Sequence, residues 1–356
     1  MKGLILSGGK GTRLRPITHT AAKQLVPVAN KPILFYAIEA LRAAGIEEIG
    51  IIVGETHQEV REAVGDGSRW KASVTYIQQE APLGLAHAVK IAEDFMAGDS
   101  FVMYLGDNLI RGGITDFVRQ FEDSRPDAMV LLAKVPNPSQ FGVAELDGDG
   151  RIHRLEEKPA RPRSDLALVG VYLFTGKIFG AVNAIKPSPR GELEITDAIS
   201  HLIDERMTVL PHVITGWWKD TGKLSDMLEA NRIMLDDLAG SAVEGNLLGD
   251  TQIQGRVVVG RGTVIENCTI RGPVVIGEDC RLARTFVGPY TSIGPSVTIT
   301  GTEIEHSIVL AGSTIEELGG RIEGSLLGKN VEVRRHQALP RAYHLMLGDN
   351  SQVGIP

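Results

Sequence analysis

The sequence predicts an α/β domain on a mostly parallel sheet, followed by a parallel β-helix, and three observations carry that fold. The first 240 residues alternate short apolar runs with stretches of helical period, the β-α-β-α order that builds a parallel sheet covered by helices on both faces. Beyond residue 240 the aliphatic residues recur every six positions with glycines beside them. Composition changes at the same place. Of the 18 aromatic residues only Phe286, Tyr290 and Tyr343 lie beyond it, together with 17 of the 41 glycines. The expected domains are therefore 1–240 and 241–356.

Each element follows from its own pattern. Gly3-Leu4-Ile5-Leu6-Ser7 is an apolar run that ends in glycines, which suits a buried parallel strand. Pro32 stands at a first helical position, Leu34, Ala37, Ile38 and Leu41 recur at i, i+3, i+4 and i+7, and Gly45 supplies a stop. Ile49 to Val53 reads as a strand, 58–64 as a helix, 74–77 as a strand, 84–95 as a helix and 101–105 as a strand. Ligands of such sheets bind beyond the carboxyl ends of the strands, which singles out Ser7-Gly8-Gly9 and Gly106-Asp107-Asn108. In the C-terminal part Ile253, Val259 and Ile265 are six apart. After a slip, Ile276 and Leu282 repeat the interval, then Val287, Ile293 and Ile299. One inward aliphatic per flat, with small residues at the corners, makes a parallel β-helix and leaves little room for aromatics. An irregular β-sandwich is the alternative, and it does not account for the repeats.

The totals exclude whole classes. With 37 Lys+Arg against 44 Asp+Glu the net charge is −7, which weighs against binding of duplex nucleic acid. No apolar run approaches about 18 residues, so no membrane helix is expected. The opening Met1-Lys2-Gly3-Leu4-Ile5-Leu6-Ser7 is too short for a signal-peptide core, which predicts a cytoplasmic chain. Cys268 and Cys280 cannot alone make a disulfide framework or a zinc site, and read as small buried side chains. The nine histidines show no close metal-ligand spacing.

The loop Leu6-Ser7-Gly8-Gly9-Lys10-Gly11-Thr12-Arg13-Leu14-Arg15-Pro16 carries the first chemical signal. Successive small residues let backbone N–H groups converge on phosphate oxygens. The P-loop pattern is absent, and Leu14 occupies the place of the third small residue of a dinucleotide fingerprint. What remains is a glycine turn with two nearby cations, Arg13 and Lys23, a combination that matches a triphosphate.

These residues also carry a resemblance. Gly9-x-Gly11-Thr12-Arg13-Leu14-x-Pro16-x-Thr18, then Lys23-Gln24-Leu25-x-Pro27-Val28-x-x-Lys31-Pro32, resembles the signature of sugar-1-phosphate nucleotidylyltransferases. The Lys23-Gln24 pair and the β-helix tail are similar to the long form of glucose-1-phosphate thymidylyltransferases, and the resemblance covers essentially the whole chain. It implies a Rossmann-like nucleotidyltransferase domain, a left-handed β-helix, and a reaction in which a phosphate oxygen of glucose 1-phosphate attacks the α-phosphorus of dTTP. Positioning and charge neutralisation dominate such a transfer.

Residue by residue, the resemblance implies that Leu6, Gly8, Gly9, Gly11, Thr12, Arg13 and Gln24 bind nucleotide, with Arg13, Lys23 and Asp107 catalytic. Asp107 and Asp220 would hold Mg2+, an ion suited to two carboxylates, phosphate oxygens and water. Gln79 and Gly84 would hold the pyrimidine, and His87 stands where the family usually carries Gln. Gly142, Glu157, Lys158, Gly170, Arg190 and Trp218 would meet the sugar phosphate, Trp218 being equally compatible with a core place. A homo-oligomer, trimer or tetramer, is expected. UTP-dependent or GTP-dependent transfer is the nearest alternative. A catalytically silent regulatory subunit is a second, and an acyltransferase β-helix using an exposed His306 a third.

Overall fold

The computed structural model describes residues 1–9, 11–19, 21–335, 343 and 345–355. It divides into two compact units. One comprises Met1–Lys10, Ala21–Leu25 and Ile33–Asp220, the other Gly11–Thr20, Val26–Pro32 and Thr221–Pro356.

The first unit is built on a nine-stranded sheet. Its parallel half runs Ser73–Gln78, Glu48–Val53, Lys2–Ser7 and Phe101–Leu105, in that spatial order. Leu166–Phe174 joins antiparallel to Phe101–Leu105 and branches, pairing with Ala128–Lys134 and with Gly142–Leu146. Alternation along the strands explains why both faces are covered. Leu4, Leu6 and Met103 point into one core, under the helices Leu85–Ile91, Ile178–Ala184 and Ile195–Asp204. Ile5, Val102 and Tyr104 point into the other, under Ile33–Ala43, His57–Val64 and Thr115–Ser124. The helix expected over 84–95 forms as two, Leu85–Ile91 and Glu93–Met96, because Ala92 turns with ψ near 1°.

The second unit contains the β-helix: three parallel sheets of six, six and five short strands. Val257 pairs with Val274 and Val274 with Thr291, so these coils are 17 residues long, while Ile299 pairs with Ile315 and Glu303 with Arg321, steps of 16 and 18. Ile253, Val259 and Ile265 lie on successive flats at steps of six, and the return step from Ile265 to Ile270 is five. That short step is the slip visible in the sequence. The inward aliphatics stack directly, as Ile265, Leu282, Ile299 and Ile315 do. Corner hydroxyls bridge coils: Thr263 Oγ1 donates to Gly277 O at 2.7 Å and accepts from Cys280 N at 3.0 Å. The two cysteines are buried free thiols standing in such corner columns, where Cys268 Sγ accepts from Thr285 N and Cys280 Sγ donates to Gly294 O. Burial raises both thiols above their ordinary values, so they stay protonated and inert. Buried Asn231, on the helix Leu224–Asp236, accepts from Ala29 N and Ser292 Oγ and donates to Tyr290 O.

Candidate functional site

The chemistry gathers where the parallel strands end. Leu6 is in register with Leu105, and Gly106 N donates to Leu6 O at 2.9 Å. A Cβ on Gly106 would stand 3.0 Å from that carbonyl, so glycine lets the chain turn there and present Asp107. The next strand, Asn108–Ile110, pairs antiparallel with Trp218–Asp220, and Asn108 lies opposite Asp220. That pairing brings the two aspartates to one place. Lys23, on the 3-10 turn Lys23–Leu25 and 6% exposed, forms an ion pair with Asp107 and reaches Asp220 Oδ1 at 3.6 Å. Burial pushes the Asp107 carboxyl up, but the Lys23 ammonium and the Asn108 amide outweigh it and hold it below the usual carboxylate range. A buried ammonium needs such partners, and here two acids share one.

This cluster passes a donor test for a divalent ion. Its groups are hard carboxylate oxygens beside the Lys23 ammonium, a donor set suited to such an ion. Among the described residues no group of three or more His, Cys, Asp or Glu could hold a metal alone. The remaining ligands would therefore come from phosphate oxygens and water. Trp218 is tied to the cluster: its Nε1 donates to Asn108 Oδ1 at 2.6 Å while Asn108 Nδ2 donates to Asp107 Oδ1 at 2.9 Å. Its ring meets Phe141 edge-on at 5.5 Å.

A second group sits at the end of Ser73–Gln78. Gln79 N donates to Val53 O, and its side-chain Nε2 faces Gly84 O at 3.3 Å and His87 Nδ1 at 3.0 Å. A Cβ on Gly8 would lie 3.4 Å from Gln79 Oε1, and one on Gly9 3.7 Å from Gln24 Nε2. Gly84 adopts φ +104°, and a Cβ there would fall 2.3 Å from Leu193 O. Ser7 Oγ and Gln24 Oε1 are buried without a hydrogen-bond partner among the described residues, polar groups that a ligand could satisfy.

A third group follows from Leu193, whose N donates to Leu83 O and whose O accepts from Ala86 N. Beyond it Arg190 reaches Glu157, Glu192 and Glu194 at 3.4, 3.0 and 3.6 Å, and Lys158 lies 3.7 Å from Glu157. Burial raises the Glu157 carboxyl; Lys158 and Arg190 oppose the rise and Glu194 adds to it, leaving the group above its ordinary value. A Cβ on Gly142 would approach Glu157 Oε2 to 3.1 Å, and one on Gly170 would strike Leu105 and Asn108. Three acids and two cations offer acceptors for hydroxyl donors together with two positive charges for a phosphate.

Gly11, Thr12 and Arg13 fall in the second unit. Gly11, at φ +61°, opens the 3-10 turn Thr12–Leu14, its carbonyl accepts from Thr18 Oγ1, and Arg13 lies against Gly222. His306 is half-buried at a β-helix corner with its ring edge-on to Tyr290 at 6.2 Å, not the exposed base that an acyltransfer role would use. Sequence reasoning passed over Glu194, which is 4% exposed and precedes the helix Ile195–Asp204, and Gly54, where a Cβ would meet Gly8 O. An acid just ahead of a helix start and a glycine at a strand end are the signals that could have found them.

The family model described as nucleotidyl transferase matches residues 2–237. The chain belongs to that family. It is a nucleotidyltransferase, and the family generally uses a divalent metal ion. Over its whole length it is 56% identical to a glucose-1-phosphate thymidylyltransferase of Streptomyces antibioticus, covering 99% of that protein. It is 53% identical to one of Streptomyces griseus, again covering 99% of the relative. Among solved structures, a UDP-glucose pyrophosphorylase complexed with UDP-glucose superposes with a TM-score of 0.59 at 26% identity, over 66% of this chain and 98% of that one. Among the described residues, no helix of this member is long and apolar enough to cross a membrane.

Proposed function

We propose that this chain makes dTDP-glucose and pyrophosphate from dTTP and glucose 1-phosphate. The observation that carries the reading is the Lys23–Asp107–Asp220 cluster at the strand ends, in a chain that matches thymidylyltransferases along its full length. A phosphate oxygen of the sugar attacks the α-phosphorus; the bond to the bridging oxygen breaks, and pyrophosphate leaves with the electron pair. Lys23 neutralises charge on the α-phosphate, and removing one such contact costs on the order of 3 kcal/mol. Asp107 and Asp220 hold Mg2+, which when bound screens the phosphate oxygens. Gln79 and Gly84 take the base, with Leu6, Gly8, Gly9, Gly11, Thr12, Arg13 and Gln24 on the rest of the nucleotide. Glu157 accepts from sugar hydroxyls beside Gly142 and Gly170, while Lys158 and Arg190 meet the sugar phosphate. Trp218 acts by holding Asn108. The functional division at residue 240, a cytoplasmic place and a homo-oligomeric state, trimer or tetramer, belong to the same proposal.

The Gln79 side chain also supports a second reading, UTP-dependent transfer, because thymine and uracil share the N3–H that an amide oxygen accepts. Pyrophosphate release from glucose 1-phosphate with dTTP, UTP or GTP in the presence of Mg2+ decides between them. The expected result is highest kcat/KM with dTTP. A UTP preference establishes the second reading; a GTP preference, or no release with dTTP, overturns the first.

A further inference from the structure

We propose that His87 is a positioning residue for base selection: it holds the Gln79 amide so that the oxygen, not the nitrogen, faces the base. The proposal rests on the reading that Gln79 meets the base. Gly84 O can only accept, so the Gln79 atom at 3.3 Å from it is the nitrogen. The same nitrogen lies 3.0 Å from His87 Nδ1, which therefore accepts as well, and the imidazole carries its proton on Nε2. Burial, with Lys90 one turn along the helix, lowers the His87 pKa and favours this neutral form.

Both hydrogens of the Gln79 amide thus have protein acceptors. Its oxygen points toward Gly8, and among the described residues it takes no hydrogen bond. An acceptor fixed in that direction matches the N3–H of thymine or uracil. It opposes cytosine, whose N3 is itself an acceptor. The frame around the pair is rigid: Ala86 N, beside His87, is bonded to Leu193 O, and a Cβ on Gly84 would strike that same carbonyl. Without the imidazole the amide could turn over and offer its NH2, and the discrimination would fall.

Steady-state kinetics of the full chain with dTTP and dCTP test this, comparing Gln79→Ala, His87→Ala, His87→Leu and His87→Gln. His87→Ala is expected to raise KM for dTTP about tenfold with kcat changed less than about threefold. It should also shift the dCTP to dTTP ratio of kcat/KM about tenfold toward dCTP. His87→Leu keeps the volume and should behave alike, which covers a failure of the alanine variant to fold. His87→Gln supplies an acceptor again and should restore most of the discrimination. If Gln79→Ala raises KM for dTTP but both His87→Ala and His87→Leu leave KM and the ratio unchanged, the proposal is wrong and the reading of Gln79 stands. If Gln79→Ala itself leaves both unchanged, the reading of Gln79 fails.

Discussion

The α/β unit and the β-helix bury polar groups in opposite ways. In the β-helix a buried hydroxyl such as Thr263 Oγ1 bonds backbone one coil along, and the arrangement repeats with the coil. In the α/β unit the buried polar groups, Lys23, Gln24, Asn108 and Glu194 among them, include charges and follow no repeat, and Lys23 draws its partners from distant segments. Lys23 meets an aspartate from one strand end and another from the far side of a two-stranded pairing. The Thr263 bridge is satisfied by the coil itself. The candidate site sits where the regular pattern stops and charged side chains collect.

The contrast is sharpened most by Lys23→Met, which removes the shared cation while keeping the volume. We expect kcat to fall about 10²-fold or more, with near-wild-type secondary structure by circular dichroism. A smaller effect is expected at Glu157. Its carboxyl is raised on folding, so the protonated form is the one the fold favours, and stability is lost as pH rises through that raised value. Glu157→Gln should remove that loss, so its melting temperature relative to wild type should rise with pH above the ordinary carboxyl range, about 4.3. The same variant should raise KM for glucose 1-phosphate about tenfold, a cost of about 1.4 kcal/mol in binding. In the β-helix, Thr263→Val leaves Cys280 N and Gly277 O without their bridge. We expect a loss of about 2 kcal/mol in denaturant titrations and unchanged kcat.

Much of the fold was legible because local patterns repeat the tertiary demand. Leu4, Ile5 and Leu6 serve both faces of a buried strand, and Ile253, Val259 and Ile265 fall on successive flats. The five-residue return step was visible only as a slip, since a register needs its partner coil to be read. The break at Ala92 was not legible: alanine favours helix, and a turn in the backbone overrides that preference there. Within the site, Asp107 and Asp220 were readable through their motifs. Their sharing of Lys23 was not, because strand pairing rather than sequence spacing joins them. The Trp218–Asn108 contact was hidden for the same reason, and the Gln79–His87 contact because it depends on how the loop after Gln78 folds back onto the helix Leu85–Ile91.

The comparison is tested most directly by Asp107→Asn set beside Ile299→Ala. Turnover of dTTP and glucose 1-phosphate and the unfolding midpoint are measured on both. The account predicts that Asp107→Asn loses at least about 10²-fold in kcat while remaining folded, and that Ile299→Ala loses about 2–5 kcal/mol of stability with kcat intact. Near-normal turnover in Asp107→Asn, or a comparable collapse of kcat in folded Ile299→Ala, would contradict it.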